Sequence, residues 1–248
     1  MNINKHINQN IMFLTFKTVN IFTTIDTRIN RSSSEQNDMI ENEFWNMISL
    51  LELVLAHNKL EEPQSIHNIS YFTEQIYKEV QLNYPKLNIS DEEIENVSKL
   101  ATIHDIGKLF TPYEILNKKG KLTKDEMDII KKHPLNGANM ALKLPKCGKA
   151  SKLVQYAYNI CLYHHERYDG QGYPKGLIGD EIPLCAQVVG LADAYDALIS
   201  ERPYKRKINH GEAVRMIVNG ECGSFSPKVI LSFIIASMNK TWIEKVSK

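Results

Sequence analysis

The chain has 248 residues, of which 43% are apolar, and its 30 Lys and Arg against 29 Asp and Glu leave a formal net charge of +1. This composition supports a sizeable globular core, and the balanced charge excludes the broad basic surface that duplex nucleic acid binding requires. The four cysteines lie far apart without a CxxC pair, which predicts reduced thiols in a cytoplasmic protein and excludes a disulfide framework or a thiolate zinc site.

Residues 1–42 are predicted to form a small N-terminal region of α/β character. The stretch IMFLTFKTVNIFTTI favours one or two strands, and RINRSSSEQND is typical of a linker. No apolar run approaches the ~20 residues of a membrane span, and polar residues interrupt the N-terminus too often for a signal peptide. We therefore expect no membrane association, and we leave open a regulatory or dimerising role for this region.

Residues 43–248 are predicted to form a mainly α-helical domain, because the apolar residues recur at helical spacing from Glu43 onward. Ser90, Thr123 and Asn209 are each followed three residues later by Glu, the pattern of a capping box at a helix start. Further helices are predicted at about 65–82, 134–144, 149–165, 183–200 and 227–238. The expected architecture is a helical bundle.

The sequence HDIGK holds the first candidate ligand pair, His104 and Asp105, at the predicted end of the helix that begins near Ser90. Adjacent helical residues point about 100° apart, so the pair cannot fill one narrow position together. The longer reach of a carboxylate lets Asp105 bridge two ions while His104 binds one. This doublet favours a dinuclear metal centre.

Further candidate ligands fall at helix ends or inside helices. His133 precedes Pro134, the doublet of His164 and His165 closes a predicted helix, and His67 lies in the first turns of another. Taken alone, His67 or His133 is more often structural, by roughly three to one. The joint occurrence of two histidine-containing doublets at helix ends reverses that weighting.

Asp193 lies mid-helix in VVGLADAYDAL, where a buried carboxylate is costly unless it is paired or bound to metal. A salt bridge to Arg202 or Lys205 is the structural alternative. Asp196, one turn further, is a candidate acceptor that orients a ligand or Lys108, and a plain helix-surface acid is an equally good interpretation.

Several segments resemble, in order and spacing, the HD-GYP domain, a bacterial branch of the HD phosphohydrolase superfamily. They are HDIGK, PYEILNKKGKLTKDEMDIIKKHPLNGA, HHERYDGQGYPKGLIGDEIP, ADAYDAL and RPYK, and the resemblance covers roughly residues 64–233. It implies an α-helical HD-domain bundle with a two- or three-metal centre that hydrolyses cyclic dinucleotides, usually cyclic di-GMP.

The resemblance also implies roles for individual residues. It assigns one metal to His67, His104 and Asp193, a second to His133, His164 and His165, a bridge to Asp105, and the substrate phosphates to Lys108, Arg202 and Lys205. Nitrogen and oxygen ligands without thiolate favour Fe or Mn, with Ni, Co or Zn as substitutes.

One departure bears on the number of metals. Three-metal members carry a glutamate four residues before the first histidine ligand, where this chain has Pro63. A slip of one or two residues at a helix start turns a side chain away, so Glu61 and Glu62 are not expected to replace it. We therefore expect two metals. The resemblance implies that two-metal centres give mainly linear products, so we also expect a linear dinucleotide product.

Asp105 and Lys108 are the predicted catalytic residues, acting with a hydroxide that bridges the metals. Tyr173, in the loop that names the family, is expected to stack on a substrate base or to contact a protein partner. The alternatives are hydrolysis of 3′3′-cyclic GMP-AMP, a cyclic-dinucleotide sensor with little or no turnover, and another HD nucleotide phosphohydrolase. A homodimer is also left open.

Overall fold

The computed structural model describes residues 33–58, 60–146, 148–200 and 207–246, and these residues contain helices and no strand. The mainly α-helical prediction is confirmed. The helices are α1 Ser33–His57, α2 Pro63–Asn83, α3 Asp91–Leu100, α4 Tyr113–Leu116, α5 Lys124–Ile130, α6 His133–Ala141, α7 Lys149–Tyr163, α8 Leu184–Ile199, α9 His210–Val218, α10 Pro227–Ser237 and α11 Lys240–Val246. Short 3₁₀ helices cover Pro85–Leu87, Ala101–Ile103, Ile106–Phe110 and Gly179–Glu181.

Helix α1 begins at Ser33, ten residues before the predicted start of the helical region. The end of the predicted linker, from Ser33 to Asp38, is helical because Phe44, Met47 and Leu51 anchor the helix in the core while Glu35 stands in its first turn. The predicted strands in residues 1–32 lie outside the described residues.

Helix α2 is the centre of the bundle, because it packs against α3, α8 and α10. Its buried face carries Ile69, Phe72, Ile76 and Val80 at spacings of three and four residues. The C-terminal helix α11 closes this core with Trp242, which is fully buried with its ring centroid 4.5 Å from that of Phe72.

The predicted helix starts are also observed. Thr123 and Glu126 form a complete capping box at α5, while the side chains of Ser90 and Asn209 each accept a hydrogen bond from the amide three residues on. These caps satisfy amides that a helix leaves without an internal partner.

The segment HDIGK differs from its prediction. Helix α3 ends at Leu100, and His104 and Asp105 occupy a turn between the 3₁₀ helices Ala101–Ile103 and Ile106–Phe110. Gly107 is required by packing, since a Cβ there would lie 1.9 Å from the carbonyl oxygen of His133. The absence of a side chain brings the HDIGK turn directly against the start of α6.

A second close approach joins α7 to α8. A Cβ on Gly190 would lie 2.3 Å from the carbonyl oxygen of His164. The C-terminal end of α7, which carries the histidine doublet, therefore rests on the α8 backbone one turn before Asp193. Among the described residues, no helix combines the length and the hydropathy needed to cross a bilayer.

Candidate metal centre

Four side chains from three places in the fold meet at one point. Asp105 comes from the HDIGK turn, His133 is the first residue of α6, and His164 and His165 follow the last residue of α7. One ligand atom from each lies within 4.8 Å of the others. This group holds four of the seven predicted metal ligands, and a fifth, His104, lies with Asp105 in a second group.

Backbone carbonyls orient three imidazole rings. Nδ1 of His104 lies 2.9 Å from the carbonyl oxygen of Ala101, and Nδ1 of His133 lies 2.8 Å from that of Ile130. Nδ1 of His164 lies 2.9 Å from the carbonyl oxygen of Ile160. A carbonyl only accepts, so each Nδ1 carries a proton, and in a neutral ring the lone pair then lies on Nε2.

The free Nε2 atoms point at one another and at a carboxylate. Nε2 of His133 lies 3.3 Å from Nε2 of His164 and 3.0 Å from Oδ1 of Asp105. Oδ1 of Asp105 and Nε2 of His104 are buried without a hydrogen-bond partner. Buried acceptors that face each other without a proton between them are costly, and a cation at their centre removes that cost.

The pKa values of two histidines favour the neutral rings that bind metal. Burial lowers the pKa of His164 well below its ordinary value, and burial also lowers the pKa of His165 to about 3. His104 differs, because burial opposes its charge but the neighbouring Asp105 carboxylate raises its pKa to about 9. A cation beside His104 competes with that proton.

Glu61 joins the site, although sequence reasoning did not expect it. Glu61, His104 and Asp105 form a second group with ligand atoms within 4.8 Å of one another. Glu61 precedes the first residue of α2, so helical periodicity does not set its direction. The expectation that it points elsewhere is wrong for that reason, and no signal in the sequence alone gives its direction.

Lys108 connects the two carboxylates. Its ammonium contacts Oδ2 of Asp105 and lies 2.7 Å from Oε1 of Glu61. Burial opposes its charge, but the carboxylates of Asp105 and then Glu61 raise the pKa of Lys108 above its ordinary value. The lysine is therefore a fixed positive charge beside the histidine cluster.

These residues fit a divalent metal centre. The described donors are imidazole nitrogens and carboxylate oxygens, which suit borderline and hard divalent ions. Cys161 is nearby but donates to the carbonyl oxygen of Ile103, and burial raises its pKa so that it stays a thiol. The described part of the chain therefore contributes no thiolate ligand to this site.

Comparison with known proteins agrees with this geometry. Residues 51–229 match the family described as HD domain. The chain belongs to the HD domain family. This match, together with relatives named as cyclic di-GMP phosphodiesterases, confirms the predicted relationship to the HD-GYP domain.

Two curated relatives show what this HD-domain chain is similar to. It is 44% identical over 152 residues to a "Probable cyclic di-GMP phosphodiesterase" of Vibrio cholerae, covering 61% of this chain and 34% of the relative. It is 32% identical over 142 residues to a "3′3′-cGAMP-specific phosphodiesterase 2" of the same organism, covering 57% and 26%. The chain thus spans about a third or less of the length of these two relatives.

A solved structure shares the fold. Bd1817, described as an HDG"Y"P protein from Bdellovibrio bacteriovorus, aligns with a TM-score of 0.50 at 20% identity, over 91% of this chain and 79% of that one. At that identity the likeness establishes the helical HD-domain fold.

Two predicted ligands, Asp193 and His67, lie outside both groups. Oδ1 of Asp193 lies 3.8 Å from Nε2 of His104, at the edge of the site. His67 is exposed and belongs to neither ligand group. Ser65 and Asn68 of the same helix turn face α8, and residue 67, about 100° from 68, is directed to solvent.

Asp196 is buried and organises the helices around the site. Its carboxylate accepts hydrogen bonds from the hydroxyl of Ser65, from Nδ2 of Asn68 at 2.9 Å and from the hydroxyl of Ser200 at 3.1 Å. Burial raises the pKa of Asp196, while these three bonds oppose that effect. Asp196 joins the start of α2 to α8, and it contacts neither Lys108 nor a described ligand by a hydrogen bond. Arg202 and Lys205 lie outside the described residues.

Proposed function

We propose that this chain is a metal-dependent phosphodiesterase that hydrolyses a cyclic dinucleotide, with cyclic di-GMP favoured, to a linear dinucleotide. The observation that carries the proposal is the meeting of imidazole Nε2 atoms with the Asp105 carboxylate beside the fixed charge of Lys108. The names of its relatives support the substrate class. Because the chain spans only part of those proteins, the activity is a proposal for this chain.

The proposal includes two divalent ions, with Fe or Mn favoured by the nitrogen and oxygen donors. His133, His164 and His165 would hold one, with Asp105 shared between both. For the other, His104 and Glu61 lie together in this structure, while His67 and Asp193 are the ligands implied by the family resemblance. Two such ions lower the pKa of a water and neutralise charge on a phosphate.

Lys108 is proposed to contact the scissile phosphate. Its ammonium is held between Asp105 and Glu61, so it carries its charge without needing to reorganise when an anion arrives. The contacts with these two carboxylates also hold the Lys108 side chain in the site. Arg202 and Lys205 remain proposed contacts to the second phosphate of the substrate.

Cyclic GMP-AMP is the second candidate substrate, since a relative is named for it. The residues that converge in this site are suited to bind metal ions and phosphate groups. All cyclic dinucleotides carry such phosphate groups. The turnover assay therefore decides which purine bases the preferred substrate carries.

The test is turnover of cyclic di-GMP, 3′3′-cyclic GMP-AMP and cyclic di-AMP by protein loaded anaerobically with Fe²⁺ or Mn²⁺, with products separated by mass. We expect a linear dinucleotide from at least the first substrate, and no product from a matched Asp105→Asn variant. Tight binding of the substrates without cleavage would support a sensor. A mononucleotide product would contradict the proposed linear dinucleotide product.

A further inference from the structure

The loop after the histidine doublet folds back on the doublet itself. The Glu166 carboxylate accepts hydrogen bonds from the amides of Lys175 at 2.7 Å and Leu177 at 3.0 Å, which closes the loop. A Cβ on Gly172 would lie 2.3 Å from the amide nitrogen of Arg167, so only glycine allows this closure. The next residue, Tyr173, is thereby brought next to the metal centre.

Tyr173 contacts His165 through both its backbone and its ring. Its amide donates to the carbonyl oxygen of His165 at 3.2 Å. Its ring stacks on the imidazole, with centroids 4.7 Å apart and planes 24° from parallel. The ring of His133 lies further from Tyr173, at 6.5 Å between centroids and edge-on, so His165 is the ligand that Tyr173 contacts most closely.

His165 is the ligand that lacks the support given to the others. The rings of His104, His133 and His164 are each fixed by a hydrogen bond from Nδ1 to a backbone carbonyl. Among the described residues, no such bond from the His165 ring is present. Metal-binding histidines usually need a second contact that fixes the ring, and here the parallel face of Tyr173 is in the position to provide it.

The ring of Tyr173 has a second contact besides His165. The ammonium of Lys131 lies 5.3 Å from the ring centroid, within range of a cation–π contact. Because the imidazole covers one face of the ring, a nucleobase would have only the opposite face to stack on. This arrangement disfavours the expectation that Tyr173 is a platform for a substrate base.

We infer that Tyr173 is a positioning residue, whose ring fixes the His165 imidazole in the orientation in which it binds a metal ion. The inference rests on the proposed metal centre and extends it to the loop that names the HD-GYP branch. It assigns one role to the loop between His165 and Tyr173, which is to place an aromatic ring against the His165 imidazole.

The test compares Mn²⁺ binding by calorimetry in the wild-type chain and in three variants of the same loop. Tyr173→Leu keeps apolar volume but removes the aromatic face, and Tyr173→Phe restores that face without the hydroxyl. Tyr168→Leu is the matched control, since the Tyr168 hydroxyl in the same loop bonds to Asp180 at 3.4 Å and, among the described residues, its ring contacts no proposed ligand. Thermal unfolding of each variant shows that the fold is retained.

We expect two Mn²⁺ ions in the wild type and a loss of about 10- to 100-fold in affinity for one of them in Tyr173→Leu. Tyr173→Phe and Tyr168→Leu should bind both ions as the wild type does. Equal binding of two ions by wild type and Tyr173→Leu overturns this inference while leaving the metal centre intact. Failure of the wild type to bind Mn²⁺ overturns the metal centre, and the inference with it.

Discussion

Gly190→Ala is expected to damage the metal centre although residue 190 touches no proposed ligand side chain. The added Cβ would lie 2.3 Å from the carbonyl oxygen of His164, where ordinary contact begins at 3.4 Å. The obstacle is backbone rather than a flexible side chain, so α7 and α8 must separate by about 1 Å to relieve the overlap. That movement shifts His164 relative to the rest of the cluster.

The size of the effect follows from two opposed contributions. Overpacking of this kind costs about 1–3 kcal/mol, while replacing a helical glycine with alanine returns about 1 kcal/mol. Since backbone cannot rotate away, the upper end applies and the net loss is about 2 kcal/mol in the free energy of unfolding. For a chain of this size that corresponds to a Tm lower by about 4–8 °C.

The assay is thermal unfolding of Gly190→Ala together with Mn²⁺ binding. Gly211→Ala is the matched control, because its Cβ would meet nothing closer than Oδ1 of Asn209 at 3.8 Å within helix α9. The control should unfold at or slightly above the wild-type temperature. If Gly190→Ala is as stable as Gly211→Ala and binds Mn²⁺ like the wild type, the close packing of α7 on α8 does not support the site.

Three further predictions test other parts of the structure. Asp105→Asn should lose both ions in a metal-content measurement, and two retained ions in this variant would contradict a shared carboxylate. Lys108→Met should keep both ions and lose roughly 10²–10³-fold in kcat. Glu61→Gln should weaken Mn²⁺ binding by about 10- to 100-fold, because Glu61 contacts the cluster. His67→Ala should leave Mn²⁺ binding unchanged, because His67 is exposed. The reverse result would favour the ligand set implied by the family resemblance. Burial lowers the pKa of His210, so stability should fall as the pH drops below the ordinary imidazole value of 6.5. His210→Phe should flatten that pH profile of thermal unfolding, and an unchanged profile would contradict the assignment to His210.

The helical fold was predictable because its signals are local. The capping pairs at Ser90, Thr123 and Asn209 mark helix starts that the structure contains, and apolar spacing located α2 and α10. The early start of α1 escaped prediction because polar residues of a solvent-facing first turn look like those of a linker.

The site was less predictable, because its geometry depends on contacts between distant segments. The tight turns and close approaches at Gly107 and Gly190 depend on neighbouring backbone, which no local pattern records. Glu61 enters the site from outside a helix, where periodicity carries no information. The doublets remained recognisable because two adjacent polar ligands among apolar residues are unusual in a core.

Anomalous diffraction from crystals of the Mn²⁺-loaded protein tests the central claim most directly. We expect two neighbouring manganese peaks, one of them bound by Nε2 of His133 and His164, with the Asp105 carboxylate contacting both ions. Manganese peaks elsewhere on the molecule, or none among these side chains at full loading, would contradict the account.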